Sequence, residues 1–191
     1  MPQRNLDFDP RNLPQEVLAA IGLVVVCSAQ TEHVVETGIQ GCAGVDVEYG
    51  TAVTAPMPVP LRDRILRSVA EIRIGNREDL DELDRLLQQI KAASDRRNAL
   101  IHSEWCRDRD TNELFRARRP ARADSEVDLV PTTIDDIKGD ASFIYWAGLN
   151  LWDFLRKRRL LPPIPPARRS RRPVRKTTQA KPRSRKLRGV S

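Results

Sequence analysis

Eleven consecutive residues, Val17 to Cys27, are all apolar or glycine, and no other feature narrows the choice of fold so far. A helix of this composition is apolar around most of its circumference, so other elements must cover it on several sides. Val24-Val25-Val26 taken alone favours a buried strand, but the segment runs on through polar Glu32 and Glu36 to a length that suits a helix. That helix is expected to begin near Asn12-Leu13-Pro14, where Asn supplies a cap and Pro is tolerated in a first turn, and to end near Gly38. The apolar run falls short of the roughly 20 residues that a bilayer-spanning helix requires. The start, Met1 to Asp7, lacks the charged-then-apolar pattern of a secretory signal. A cytoplasmic chain without a membrane span is therefore expected.

Three further segments carry helical periodicity. Ile65, Leu66, Val69 and Ile72 follow Leu61 at helical spacing and predict a second helix ending near Gly75-Asn76. Leu80, Leu83, Leu87 and Ile90 step by three and four, while Glu78, Asp79, Asp81 and Glu82 face the positive end of the helix dipole; together they predict a third helix. The same steps reach Ser94, Arg97 and Ile101, so an arginine is expected on the packed side. Thr132 or Thr133 is placed to cap a fourth helix from Ile134. Its inner stripe would be Ile137, Ala141, Ile144, Gly148, Leu151 and Leu155, widened by Phe143, Trp146 and Phe154. Residues 41–60 hold Gly41, Gly44, Gly50, Pro56, Pro58 and Pro60 and predict a long loop. The turn-rich stretch after Trp105 admits a small β-hairpin within 105–131, turning near Asp110-Thr111-Asn112. The expected fold class is all-α, a four-helix bundle over residues 1–161.

The length, 191 residues, suits one such domain with appendages. Eleven of the 33 Lys and Arg lie after Leu161, where no Asp or Glu occurs, so the preceding part holds 22 cations against 26 acids. Pro162-Pro163-Ile164-Pro165-Pro166 reads as an extended spacer, and the basic remainder to Ser191, which lacks a core, is expected to be disordered. Arg168, Arg169, Arg171, Arg172, Arg175, Lys176, Lys181, Arg183, Arg185, Lys186 and Arg188 would give an RNA-binding arm that is salt-dependent and indifferent to sequence. A merely solubilising extension is the alternative. Three cysteines without a Cys-x-x-Cys pair suggest reduced thiols, and two histidines far apart suggest neither a metal site nor a cofactor.

Arg97-Asn98-Ala99-Leu100-Ile101-His102, at the end of the third helix, gathers a cation, an amide and an imidazole. Asn98 and His102 stand four apart on one helical face, with Arg97 to one side on a long stem. Arginine's planar fork grips two phosphate oxygens at once, and histidine exchanges a proton near neutrality. The pair suits RNA cleavage without a metal. His102 would deprotonate the ribose 2′-hydroxyl or protonate the departing oxygen, Arg97 would stabilise charge on the phosphoryl group, and Asn98 would orient the imidazole.

Asp95-Arg96-Arg97-Asn98-Ala99-Leu100-Ile101-His102-Ser103-Glu104-Trp105 resembles the HEPN family, whose hallmark is an arginine, a polar residue beside it and a histidine four to six positions after the arginine. The resemblance implies an antiparallel helical bundle that dimerises and brings two motif copies together as a metal-independent endoribonuclease. Arg97, Asn98 and His102 would then be catalytic. A role as a toxin or phage-defence effector, with an antitoxin or other regulatory protein as partner, is implied in the same way. Where HEPN toxins paired with nucleotidyltransferase antitoxins carry an adenylyl-accepting tyrosine two places after the histidine, this chain has Glu104.

The structural alternative pairs Arg97 with a buried acid and turns His102 to carbonyls at a helix end. Against it stands the cost of an unpaired arginine on an apolar stripe, which favours a cleft or dimer seam. His33 reads as structural, Cys106 has no marks of a nucleophile, and Trp105, Trp146 and Trp152 read as core rather than base-stacking platforms. The alternative function is a non-catalytic helical module that binds nucleic acid or a protein partner.

Overall fold

A computed structural model describes residues 4–118 and 128–162. Its elements run β1 (Leu6–Asp7), a short 3-10 turn (Pro10–Asn12), α1 (Gln15–Ala43), α2 (Val47–Thr54), α3 (Val59–Arg73), α4 (Arg77–Ile101), β2 (Glu104–Asp108), β3 (Leu114–Arg118), β4 (Asp128–Pro131) and α5 (Ile134–Lys157). The chain is mostly helical with a small antiparallel sheet in the order β1-β2-β3-β4.

The core forms where α1 packs on α3, α4 and α5, and α5 lies across α4. Val24, Leu66, Leu83, Leu100, Ile137, Ile144, Leu151 and Leu155 are all sealed from water. The inner stripe expected of α5 is buried along its whole length, from Ile137 through Leu155. Thr133 caps that helix: its hydroxyl accepts from the Asp136 amide at 3.1 Å, and the Asp136 carboxylate accepts from the Thr133 amide at 2.8 Å. Asn76 caps α4 in the same way, accepting from the Asp79 amide at 2.7 Å.

Three expectations are corrected. Residues 41–60 are not one long loop, because α1 continues to Ala43, α2 occupies Val47–Thr54 and α3 starts at Val59. The glycines and prolines there act at helix ends and contacts: Gly44 closes α1 in the left-handed region with φ 68°, and Pro58 and Pro60 sit at the start of α3, where a missing amide costs nothing. The hairpin is part of a larger sheet. Asp108 accepts from the Asp110 and Thr111 amides, Asn112 takes φ 62°, and β4 and the two-residue β1 extend the pair on either side. Trp146 is not core but 57% exposed, standing edge-on to Tyr145 at 5.7 Å.

Part of α1 also faces outward. Leu18, Leu23, Val25 and Val26 are 45, 47, 45 and 64% exposed, although Val17, Ala20, Val24 and Cys27 are buried. At 29 residues α1 is long and apolar enough to cross a bilayer by length and composition alone, a test that core helices also pass.

The approach of α1 to α5 depends on Gly148, where an added Cβ would lie 2.6 Å from Thr31 Oγ1 and 3.2 Å from its Cα. Thr31 cannot simply turn away, since its hydroxyl donates to the Ile144 carbonyl at 3.0 Å. Gly148→Val is therefore expected to destabilise the chain by about 2–3 kcal/mol in urea denaturation. A midpoint equal to that of the unsubstituted chain would show that the two helices have slack at this crossing.

Candidate active site

The last turns of α4 are held in place from two sides. Arg96 reaches α5, where Nη1 donates to Asp140 Oδ1 at 2.8 Å and the guanidinium lies 4.0 Å from the centre of the Phe143 ring. The carbonyls that end the helix are met from the entry into β2: Ser103 Oγ donates to Ala99 at 2.6 Å and Trp105 Nε1 to Leu100 at 3.1 Å. Arg116 of β3 also donates to Ala99 at 3.4 Å. Leu100 beneath them is buried. The sheet therefore fixes the end of α4 and leaves the motif side chains unused by the helix.

Arg97 is half-buried, as its place on the packed stripe predicts. Its Nη1 donates to Asn98 Oδ1 at 2.9 Å, and its buried Nε meets no acceptor among the described residues. Among those residues no carboxylate lies within ion-pair reach of Arg97. The arginine doublet is thus divided: Arg96 makes an ion pair with Asp140, and Arg97 bonds to an amide oxygen instead. Asn98 is exposed and aims the guanidinium, so the role expected for it, orienting the imidazole, is not what this geometry shows. His102 caps α4; its backbone amide donates to the Asn98 carbonyl at 3.1 Å, and its exposed ring makes no hydrogen bond among the described residues.

Around this helix end the described residues leave three hollows. A small one of about 30 Å³, room for a water or two, is lined by Arg97 and Ser94 with Val35, Val59, Ile90 and Ile144, and by Arg62 and Glu32. An open groove of about 620 Å³ between α3 and α4 ends at Asn98. A second open groove, about 590 Å³ and mainly apolar, is walled by Phe8, Leu18, Ile21, Val25 and Trp105, and includes Ile101 and Ser103 on either side of His102. The fold joins Arg97 to Asn98 directly, while His102 lines none of these three hollows.

Two charged groups near the site had no periodic signal in the sequence. Arg62 is buried, its Nη1 2.6 Å from Glu36 Oε1 and 3.6 Å from Glu32 Oε2. Asp63 lines the α3–α4 groove with one shielded oxygen that no donor among the described residues reaches. Burial pushes its carboxyl up to about 6; Arg62 opposes that rise and Glu32 adds to it. Both residues sit within the run Arg62-Asp63-Arg64, which reads as a solvated face until α1 and α4 are packed on it.

The remaining candidates fall away from the motif. His33 is largely exposed, with Nδ1 4.0 Å from Glu36. Cys27, Cys42 and Cys106 are buried free thiols, and burial pushes Cys42 up to about 11, away from nucleophilic use. The tail cations Arg168, Arg169, Arg171, Arg172, Arg175, Lys176, Lys181, Arg183, Arg185, Lys186 and Arg188 lie outside the described residues.

Comparison with family models, curated proteins and solved structures finds no match. Fold and site stand on the chemistry of the residues themselves.

Asp63 holds its proton more tightly in the folded chain than in the unfolded one, so ionising it costs stability. The cost is absent below the ordinary value of 3.8, grows as pH rises through about 6, and is complete above that. Asp63→Asn is expected to stabilise the chain at pH 8 by about 1 kcal/mol, a figure discounted for solvent screening, and to lose that gain near pH 3.5. Thermal melts at both pH values check this; an equal gain at each would mean that ionisation is not the cause.

Proposed function

We propose that this chain is a metal-independent endoribonuclease of HEPN type that works as a homodimer. The observation that carries the reading is the division of labour at the end of α4, where Arg96 is spent on Asp140 while Arg97 keeps its charge without a carboxylate partner among the described residues and His102 presents an unbonded ring. An unpaired, half-buried guanidinium is costly unless an anion arrives to meet it. A phosphate diester is such an anion, and the fork of Arg97 can bind two of its oxygens.

In the proposed reaction the ribose 2′-hydroxyl attacks the adjacent phosphorus. Neutral His102 takes the hydroxyl proton as the new O–P bond forms, Arg97 stabilises the charge that builds on the phosphoryl oxygens, and the 5′-oxygen leaves with a proton from a second acid. Asn98 holds Arg97 in register. The His102 of a second copy is the candidate for that acid, since the apolar groove flanking His102 leaves Leu18, Val25 and Phe8 about half exposed, and such patches mark interfaces. An isologous contact there would carry two imidazoles toward one seam.

The same outward face of α1 is the observation that favours the other reading, a helical module that captures a protein partner without chemistry. A toxin or defence role belongs to the proposal only through the family resemblance, and a cytoplasmic setting only through the sequence of the first residues and the length of the apolar run. The basic tail, read from sequence, would concentrate RNA near the site.

Labelled RNA incubated with the full chain in chelator should be cut, with His102→Ala slower by about 100-fold or more and Arg97→Ala reduced comparably. Wild type and variants equally inert on a varied RNA pool would sink the catalytic reading. For the dimer, Val25→Glu should halve the mass measured by light scattering and abolish cutting together. Retention of activity in a proven monomer would exclude the shared seam.

A further inference from the structure

The groove between α3 and α4 has a chemistry unlike that of the motif it leads to. Two of its cations are already paired: Arg67 with Asp84 and with Glu71 at 3.4 Å, and Lys91, whose Nζ lies 2.7 Å from Asp95. Arg64 Nε donates to the Pro60 carbonyl at 3.4 Å. A phosphate entering here would find Arg67 and Lys91 occupied and three carboxylates, Asp63, Asp84 and Asp95, against Arg64 alone. Donors line the groove at Gln88, Ser94 and Asn98, yet among the described residues none of them reaches Asp63. Asp63 has a shielded oxygen without a partner, and rotation about its terminal bond exchanges that oxygen with the other one. Val59, Pro60 and Leu87 supply flat aliphatic surface beside it, Ser94 and Asn98 close the end, and a volume of about 620 Å³ is ample for a nucleotide.

Resting on the ribonuclease reading, we infer that this groove is a base-specificity subsite, in which Asp63 accepts a hydrogen bond from the exocyclic amine of the nucleobase next to the phosphate held at Arg97 and Asn98. The link between the two parts is Asn98, which lines the groove and is bonded to Arg97. Single-stranded RNA exposes the base edges that such a carboxylate can read, and a carboxylate accepting from the cytosine amine is an established pairing in nucleic-acid recognition. The inference explains why a carboxyl is kept at a position where burial opposes its charge: a ligand amine supplies the donor that Asp63 does not find among the described residues.

CMP and UMP differ at this edge by the amine, so their binding to the full-length chain separates the outcomes. Calorimetry on His102→Ala, chosen to prevent turnover, should show CMP bound about tenfold more tightly than UMP, and adding Asp63→Asn should bring the two within about twofold. Asp63→Asn removes a poorly placed charge and keeps the shape, and a melt recorded alongside verifies its fold. Equal affinities, a preference untouched by Asp63→Asn, or no binding of either nucleotide at millimolar concentration would each overturn the subsite. The measurement reads binding alone. A chain that prefers CMP through Asp63 yet cuts no RNA would keep the subsite and lose the ribonuclease, whereas one that cuts RNA while binding CMP and UMP alike would do the reverse.

Discussion

Burial of the inner face of α1 beneath α5 is the constraint on which the rest of the molecule depends. Val24, Ile144, Leu151 and Leu155 meet there with no room for a side chain at Gly148, and the hydroxyl of Thr31 is tied across to the Ile144 carbonyl. With α5 placed, Asp140 and Phe143 stand where Arg96 can reach them. Burial of Leu83, Ile90, Ala93 and Leu100 sets the rotation of α4, to which that contact adds, and the rotation turns Arg97 toward the small hollow and Asn98 toward the open groove. The sheet completes the arrangement by satisfying the last carbonyls of α4 through Ser103, Trp105 and Arg116. Positions of the motif groups are thus consequences of packing several residues away.

Electrostatics around the site divide into spent and unspent charge. Arg62 is committed to Glu36 and Glu32, and Arg67 to Asp84 and Glu71. Arg62 and Arg67 also keep one unpaired buried nitrogen each, but Arg97 and Asp63 are a cation and an acid for which the described residues provide no counterion in contact. Each costs stability in the empty protein, and a ligand that met both would recover it.

Long elements with a regular apolar step could be read directly from the residues. Leu80, Leu83, Leu87 and Ile90 announce α4, and Ile137 through Leu155 announce α5, because burying one face of a long helix leaves a strong period. Short elements could not. α2 hides among Gly41, Gly44, Gly50 and the prolines, since those residue types signal a break whether they end a helix, begin one or permit close packing. β1 is two residues long and exists only because β2 lies beside it. Trp146 follows the period of α5 closely enough to be taken for core, yet the neighbours of that helix stop short of covering it.

From residue order alone came the helical character of the chain, the four long helices, the hairpin turn at Asp110-Thr111-Asn112 and the grouping of Arg97, Asn98 and His102 at one helix end. All of these arise from local chemistry: period, caps, turn residues and spacing along a single helix. Tertiary structure decided which of two adjacent arginines is held by an ion pair, what Asn98 touches, that Asp63 faces a groove, and that α1 is covered on one side only. Those outcomes depend on groups far apart in the chain, and no pattern along one helix can specify which carboxylate another helix will bring within reach of a guanidinium.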